Sequence, residues 1–141
     1  GKLTEYPGSP LISASLLREQ DRLQCSELHS TDFELLQRRF ADDKRVRVEK
    51  LDAWQGFKAM LPPQHRRGLV LIDPSYEMEA DYLGLLPALQ MAMERFSTAT
   101  YAIWYPVLDR NRTESFIRRF VKAEIPNLLR VECCPRPDAS G

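Results

Sequence analysis

The sequence has no long apolar segment, few histidines and no regular cysteine pattern. No apolar run approaches the ~18 residues that a membrane-spanning helix needs, so no membrane association is expected. Three cysteines, Cys25, Cys133 and Cys134, form neither a C-x-x-C pair nor an even set, which predicts buried, reduced thiols in a cytoplasmic protein. The two histidines, His29 and His65, are far apart in sequence, so no metal site is expected.

Charge of either sign is not in excess, because 20 basic residues balance 20 acidic ones. A chain with zero net charge does not attract nucleic acid through its overall field, so RNA contacts would have to come from local patches. Hydrophobic residues at 43% and charged residues at 28% are typical of a folded rather than a disordered chain. We expect residues 1–141 to form one domain, since roughly 150 residues per domain is usual.

Hydrophobic periodicity predicts helices and strands that alternate along the chain. Helices are predicted at Ser9–Gln20, Thr31–Phe40, Ala53–Leu61, Met78–Phe96 and Arg112–Lys122, with Ser9 and Thr31 as caps and Pro87 as a kink or break. Strands are predicted at Leu23–Leu28, Val46–Val48, Gly68–Ile72, Thr100–Trp104 and Leu128–Cys133. This order predicts an α/β fold, with a mostly parallel sheet and helices on both faces. The apolar run Gly68–Ile72 predicts a strand buried on both faces.

A glycine-rich turn between a strand and a helix is also missing, because no G-x-G occurs among the six glycines. In open α/β sheets that turn usually holds the cofactor. Two interpretations follow: the chain does not belong to a cofactor-dependent enzyme, or the first strand of the sheet lies upstream of Gly1.

Acidic residues stand at the ends of three predicted strands: Glu27, Asp52 and Asp73. Parallel strands bring their carboxyl ends to one edge of the sheet, which is where ligands bind in such folds. A carboxylate only accepts hydrogen bonds, so these acids suit ribose hydroxyls and the exocyclic amine of adenine. The other interpretation of each acid is a cap for the next helix, and Asp52 before Ala53 suits that role.

The loop Asp73-Pro74-Ser75-Tyr76 follows the most apolar strand and carries the chemistry that the sequence predicts. An adenine amine is a poor nucleophile because its lone pair is delocalised into the ring. Acceptors such as the Asp73 carboxylate and the Pro74 carbonyl would favour a localised lone pair and hold the nitrogen in line for methylation. Tyr76 would stack on an extruded base. The alternative is a simple turn with a buried tyrosine.

This loop resembles the D-P-P-Y motif of methyltransferases that modify the N6 amine of adenine. Further similarity lies in Tyr6-Pro7-Gly8-Ser9-Pro10-Leu11, Leu17-Arg18-Glu19-Gln20-Asp21, Glu27-Leu28-His29, Arg67-Gly68-Leu69 and Trp104-Tyr105-Pro106. Together these segments resemble the RlmJ family of bacterial 23S ribosomal RNA adenine-N6 methyltransferases. The similarity runs from about Tyr6 to Pro137.

The resemblance implies a Rossmann-like class I methyltransferase fold, here without its glycine-rich first strand, and S-adenosylmethionine as cofactor. It implies Asp73 as the catalytic acid of the loop, and cofactor contacts from Ser9, Glu27, Asp52, Ala53 and Asp73. The implied partner is 23S ribosomal RNA. We expect a monomeric cytoplasmic enzyme, with the 141-residue chain inactive by itself.

Ser75 departs from the family pattern, which usually has a second proline there. Two alternatives therefore stay open: an enzyme acting on DNA or another amine, and a catalytically dead RNA-binding module marked by Ser75. Arg110 and Arg112 follow the Trp104-Tyr105-Pro106 segment and are the residues that we expect to contact RNA phosphates.

Overall fold

The computed structural model describes residues 6–133, and the chain divides into two compact units, Gly1–Pro62 and Pro63–Gly141. Each unit contains one pair of parallel strands with helices before, between or after them. The predicted alternation of helices and strands is therefore confirmed within each unit, apart from the last predicted strand. Within the described residues no helix is long and apolar enough to cross a membrane, and no group of three or more metal-binding side chains occurs.

The first unit is built on two short parallel strands. Its elements are α1 (Ser9–Ser15), β1 (Leu23–Ser26), α2 (Ser30–Arg39), β2 (Val46–Glu49) and α3 (Ala53–Met60). β1 and β2 are in register from Leu23↔Val46 to Ser26↔Glu49. Gly56 lets α3 approach β1 closely, because a Cβ at that position would lie 3.1 Å from Ser26 Oγ.

The second unit repeats this plan with longer helices. Its elements are β3 (Leu69–Ile72), α4 (Glu79–Arg95), β4 (Thr100–Ile103) and α5 (Arg110–Lys122). β3 and β4 are parallel and in register from Leu69↔Thr100 to Ile72↔Ile103. The buried core of this unit consists mainly of residues from α4 and α5: Leu85, Ala88, Leu89, Ala92, Phe96, Phe116 and Phe120.

Helix α4 continues through Pro87 and is not divided there. Proline has no N–H, so the carbonyl of Leu83, four residues earlier, loses its partner in the helix. The guanidinium of Arg119 on α5 takes that place, donating to the Leu83 carbonyl at 2.9 Å and to the Tyr82 carbonyl at 2.6 Å. A contact between two helices thus compensates for the proline.

Two sequence predictions about strands are wrong. Residues 128–133 form no strand, because they pair with neither β3 nor β4. Strand β3 is not buried on both faces: Ile72 is 4% exposed, whereas Leu69 and Leu71 are 67% and 48% exposed. Its apolar residues are covered only on the side of Val70 and Ile72, so its composition overstated its burial.

Several local predictions also need correction. Ser9 is the first residue of α1 and Gly8 precedes it, so no side chain caps the start of this helix. The helix ends at Ser15, before the predicted Gln20. His29, not Thr31, precedes α2, again without a side-chain cap. Cys25 is half-buried, which raises the pKa of its thiol, but Cys133 is exposed. Cys134 lies outside the described residues.

Candidate functional site

The loop after β3 presents two hydrogen-bond acceptors that no donor among residues 6–133 uses. Asp73 directly follows Ile72, and its carboxylate accepts no hydrogen bond and forms no ion pair with any group in residues 6–133. The Pro74 carbonyl is equally unpaired over that range. Nearby protein atoms exclude part of the water from Asp73, and this desolvation raises the pKa of its carboxyl. Two unpaired acceptors in adjacent residues suit an amino group, which offers two N–H donors.

Tyr76 fixes the shape of this loop. Its φ of 57° lies in the left-handed region, where a non-glycine residue is held only by strong surrounding contacts. The ring is 7% exposed, and it contacts Tyr82 with the ring centroids 4.7 Å apart. Its hydroxyl donates to the Trp104 carbonyl at 2.5 Å. In this conformation the buried ring offers almost no face to a base, so the expected stacking role has no support here.

Ser75 adds a second constraint where the family usually has proline. Its hydroxyl donates to Asp81 Oδ2 at 3.1 Å, and the Met78 N–H donates to the same oxygen at 3.3 Å. Asp81 lies in the first turn of α4, so the loop is attached to the start of that helix. A hydrogen bond thus restrains the loop at the position where a proline ring would have done so.

A small cavity lies beside the loop within the second unit. It has a volume of about 130 Å³ and is lined by Tyr76, Tyr82, Pro106, Leu108, Asp109, Arg112 and Thr113. The Arg112 guanidinium stacks on Tyr82, 4.1 Å from the ring centroid. No carboxylate or carbonyl in the described part of the chain accepts a hydrogen bond from this guanidinium. The Asp109 carboxylate accepts hydrogen bonds from the backbone N–H groups of Asn111 and Arg112, capping α5.

Arg110 is placed differently from Arg112. It forms an ion pair with Glu132, at 2.6 Å from Oε2, and Glu132 also accepts hydrogen bonds from Tyr105 and Arg130. Arg130 further pairs with Glu114 on α5. We call these five residues the Glu132 network. Arg110, followed by the other donors, lowers the pKa of the Glu132 carboxyl to about 2. The network attaches the unpaired residues 128–133 to the second unit.

Four of the five predicted cofactor residues belong to the first unit, and the fifth, Asp73, belongs to the second. Glu27 directly follows β1, is half-buried, and uses Oε1 to accept the His29 N–H at 2.8 Å. Asp52 caps α3 through Oδ1, which accepts the Trp54 N–H at 2.8 Å. The second oxygen of each carboxylate has no partner among residues 6–133. These two oxygens fit a nucleoside, which offers hydroxyl and amine donors.

Ser9 and Ala53 are the other two residues predicted to contact the cofactor. Both are the first residue of a helix, α1 for Ser9 and α3 for Ala53, and both are exposed. Backbone N–H groups in the first turn of a helix have no intrahelical acceptor, so they can donate to a ligand.

Sequence reasoning overlooked residues that act through backbone or ring contacts. Trp104 follows β4 as Asp73 follows β3, but a tryptophan after a strand does not by itself indicate a ligand site as an acid does. The roles of Tyr82 and Arg119 could not be predicted from sequence, because each depends on how α4 packs against α5. Tyr82 stacks with the Arg112 guanidinium, and Arg119 binds the Leu83 carbonyl that Pro87 leaves without a partner. Glu132 lies in a segment that was predicted to be a strand.

Comparison with known proteins adds independent findings. The family model described as "Ribosomal RNA large subunit methyltransferase D, RlmJ" matches residues 1–141. The Ribosomal RNA large subunit methyltransferase J of Escherichia coli (strain K12) is 48% identical over 139 residues, covering 99% of this chain and 50% of that protein. The protein of the same name from Haemophilus influenzae is 46% identical over 138 residues, covering 98% and 49%.

A solved structure is similar as well. The crystal structure of protein LPL1258 from Legionella pneumophila str. Philadelphia 1 has a TM-score of 0.76 and 41% identity. The match covers 83% of this chain and 44% of that one. The chain thus spans about half the length of the curated relatives that it matches.

Proposed function

The chain belongs to the RlmJ family of large-subunit ribosomal RNA methyltransferases, and from this premise we propose that the protein methylates the N6 amine of an adenine in 23S ribosomal RNA. The observation that carries the proposal is that two acceptors at the end of β3, the Asp73 carboxylate and the Pro74 carbonyl, have no hydrogen-bond donor in the described part of the chain. An enzyme that must bind an amine keeps such acceptors free of internal partners. The alternative role for an acid after a strand is to cap the following helix, as Asp52 caps α3, and Asp73 makes no such bond among residues 6–133.

In this mechanism the loop residues orient the amine. Each of the two N6 hydrogens is accepted by one group, the first by Asp73 and the second by the Pro74 carbonyl. This arrangement fixes the nitrogen and favours a lone pair directed out of the base plane. Tyr76 acts as a positioning residue, because its buried ring and its bond to the Trp104 carbonyl hold the backbone of the loop.

S-adenosylmethionine supplies the methyl group when it is bound. We propose that Glu27 holds the ribose hydroxyls and that Asp52 accepts from the adenine amine of the cofactor. Both roles are supported by the unpaired second oxygen of each carboxylate, Oε2 and Oδ2. The backbone N–H groups of Ser9 and Ala53 are the proposed donors to the remaining polar atoms of the cofactor.

The RNA contact that we propose centres on Arg112. Its guanidinium is oriented by Tyr82 but keeps its N–H donors, so it suits a phosphate beside the modified nucleotide. The adjoining cavity, with apolar Pro106 and Leu108, would receive part of a flanking nucleotide. Arg110 contributes less, because Glu132 already pairs with it.

The test is transfer of labelled methyl from S-adenosylmethionine to protein-free large-subunit RNA by the intact protein. We expect N6-methyladenosine in the product and a loss of about 100-fold or more in turnover for Asp73→Ala. Glu77→Gln is the matched control, because it removes the charge of an exposed acid in the same region and should retain turnover.

The alternatives give different results in this assay. Transfer to DNA but not to RNA would identify a DNA methyltransferase. Binding of S-adenosylmethionine and RNA without transfer would indicate the dead binding module, and Ser75→Pro would then be the variant to examine. Equal turnover in Asp73→Ala and the unaltered protein would refute the mechanism.

The finer description of the protein is also a proposal. We propose a single Rossmann-like class I methyltransferase domain, supported by parallel pairing in both units. We further propose a cytoplasmic monomer, because ribosomal RNA is modified where ribosomes assemble.

A further inference from the structure

We propose that Trp104 is the residue on which the target adenine stacks while Asp73 binds its amine. The proposal deepens the proposed function, on which it rests. It starts from the backbone: the N–H of Trp104 donates to the Ile72 carbonyl at 3.0 Å, which extends the pairing of β3 and β4 by one residue. Asp73 and Trp104 therefore follow the last register pair, Ile72↔Ile103, as neighbours across the sheet.

Side chains alternate between the two faces of a sheet, and register partners share a face. Asp73 and Trp104 accordingly project on the side of Leu71 and Ala102, opposite to Ile72. Exposure agrees with this alternation, because Leu71 is 48% and Trp104 55% exposed, whereas Ile72 is 4% exposed. Adjacent strands are ~4.8 Å apart, so a base lying on the indole has its edge within reach of the Asp73 carboxylate.

Trp104 is also held in place. Its N–H bonds to Ile72 and its carbonyl accepts the Tyr76 hydroxyl at 2.5 Å, so its backbone is fixed from both sides. The Trp104 ring contacts the Tyr76 ring, with the centroids 6.4 Å apart and the planes tilted by 52°, yet Trp104 is still 55% exposed. The other aromatic residues near the loop are less available. Tyr76 is buried, Tyr82 is covered by Arg112, and the Tyr105 hydroxyl is bonded to Glu132. Of these four residues Trp104 is the exposed one, and the strand register places it on the side of Asp73.

The experiment compares Trp104→Ala, Trp104→Leu and Trp104→Phe in the intact protein, with protein-free large-subunit RNA as substrate. Loss of base stacking should lower kcat/KM about ten- to hundredfold in the alanine variant. Leucine keeps an apolar surface but has no aromatic face, so it should not restore activity, whereas phenylalanine should restore most of it. Leu69→Ala, a substitution on the same face but away from Asp73, should have kcat/KM within twofold of the unaltered protein.

A direct binding measurement separates this proposal from the proposed function. The fluorescence of Trp104 is the difference in tryptophan emission between the unaltered protein and Trp104→Phe. Titration with adenosine monophosphate should quench this difference. Activity that survives in Trp104→Ala but not in Asp73→Ala would overturn the stacking role and leave the function standing. Quenching without any methyl transfer to RNA would support stacking and overturn the function. Absence of both would overturn both.

Discussion

The bond between Arg119 and the carbonyl of Leu83 allows a quantitative test of how α4 tolerates Pro87. Arg119 donates two charge-assisted hydrogen bonds, at 2.6 and 2.9 Å, to carbonyls one turn before the proline. Hydrogen bonds to charged groups contribute about 1.5–3 kcal/mol each, and two bonds made by one guanidinium contribute less than their sum. We therefore expect Arg119→Met to lower the free energy of unfolding by about 2 kcal/mol.

The second variant, Pro87→Ala, supplies an N–H that can bond to the same Leu83 carbonyl. In that background the carbonyl is satisfied within the helix, so Arg119→Met should cost only about 1 kcal/mol. The expected coupling energy between the two substitutions is therefore about 1 kcal/mol, well above the roughly 0.3–0.5 kcal/mol within which independent sites add.

Urea denaturation of the intact protein and the three variants, followed by far-UV circular dichroism, measures this cycle. Arg118→Met is the control, since Arg118 is exposed and its one hydrogen bond within residues 6–133 is to the Glu114 carbonyl of its own helix. It should change stability by no more than about 0.5 kcal/mol. Additive effects of Pro87→Ala and Arg119→Met would refute the compensation of the proline by Arg119.

Other predictions concern the site and the first unit. The rate of methyl transfer should fall as the pH drops through the raised pKa of Asp73, because protonation converts a hydrogen-bond acceptor into a donor. A pH–rate profile measures this, and if the fall at low pH is unchanged in Asp73→Asn, another group causes it. Arg112→Gln should weaken RNA binding and reduce the slope of log affinity against log salt concentration by about one. Arg110→Gln should reduce this slope by less, because Glu132 already pairs with Arg110, and equal slopes of the two variants in filter binding would contradict this difference. Gly56→Ala should destabilise the protein by about 1–3 kcal/mol through contact with Ser26 Oγ, and an unchanged melting temperature would show that α3 can shift.

The order of elements could be predicted from the sequence because helical and strand periodicity is local. Nine of the ten predicted elements are present in the described residues, most within two residues of their predicted ends. The exception, at Leu128–Cys133, has the β-branched and apolar composition of a strand. A strand needs a partner, however, and that depends on tertiary structure rather than on propensity.

Side-chain roles were less predictable than positions. The position of Asp73 at the carboxyl end of a strand could be predicted, because the apolar run before it predicts the strand β3. The burial of Tyr76 did not follow, because an aromatic residue in a polar loop has no periodicity that distinguishes a core ring from an exposed one. Arg110 and Arg112 looked equivalent for a similar reason: only the fold brings Glu132 to one of them.

The Glu132 network changes how the second unit should respond to ionic strength. Arg110 and Arg130 each face an internal carboxylate, so their charges are largely cancelled when viewed from a distance. Added salt screens attraction between RNA phosphates and Arg112, but it also weakens the internal pairs and frees Arg110 and Arg130 to meet the polyanion. These two effects oppose each other. The affinity for RNA should therefore decline less steeply with salt than the number of arginines on this unit suggests.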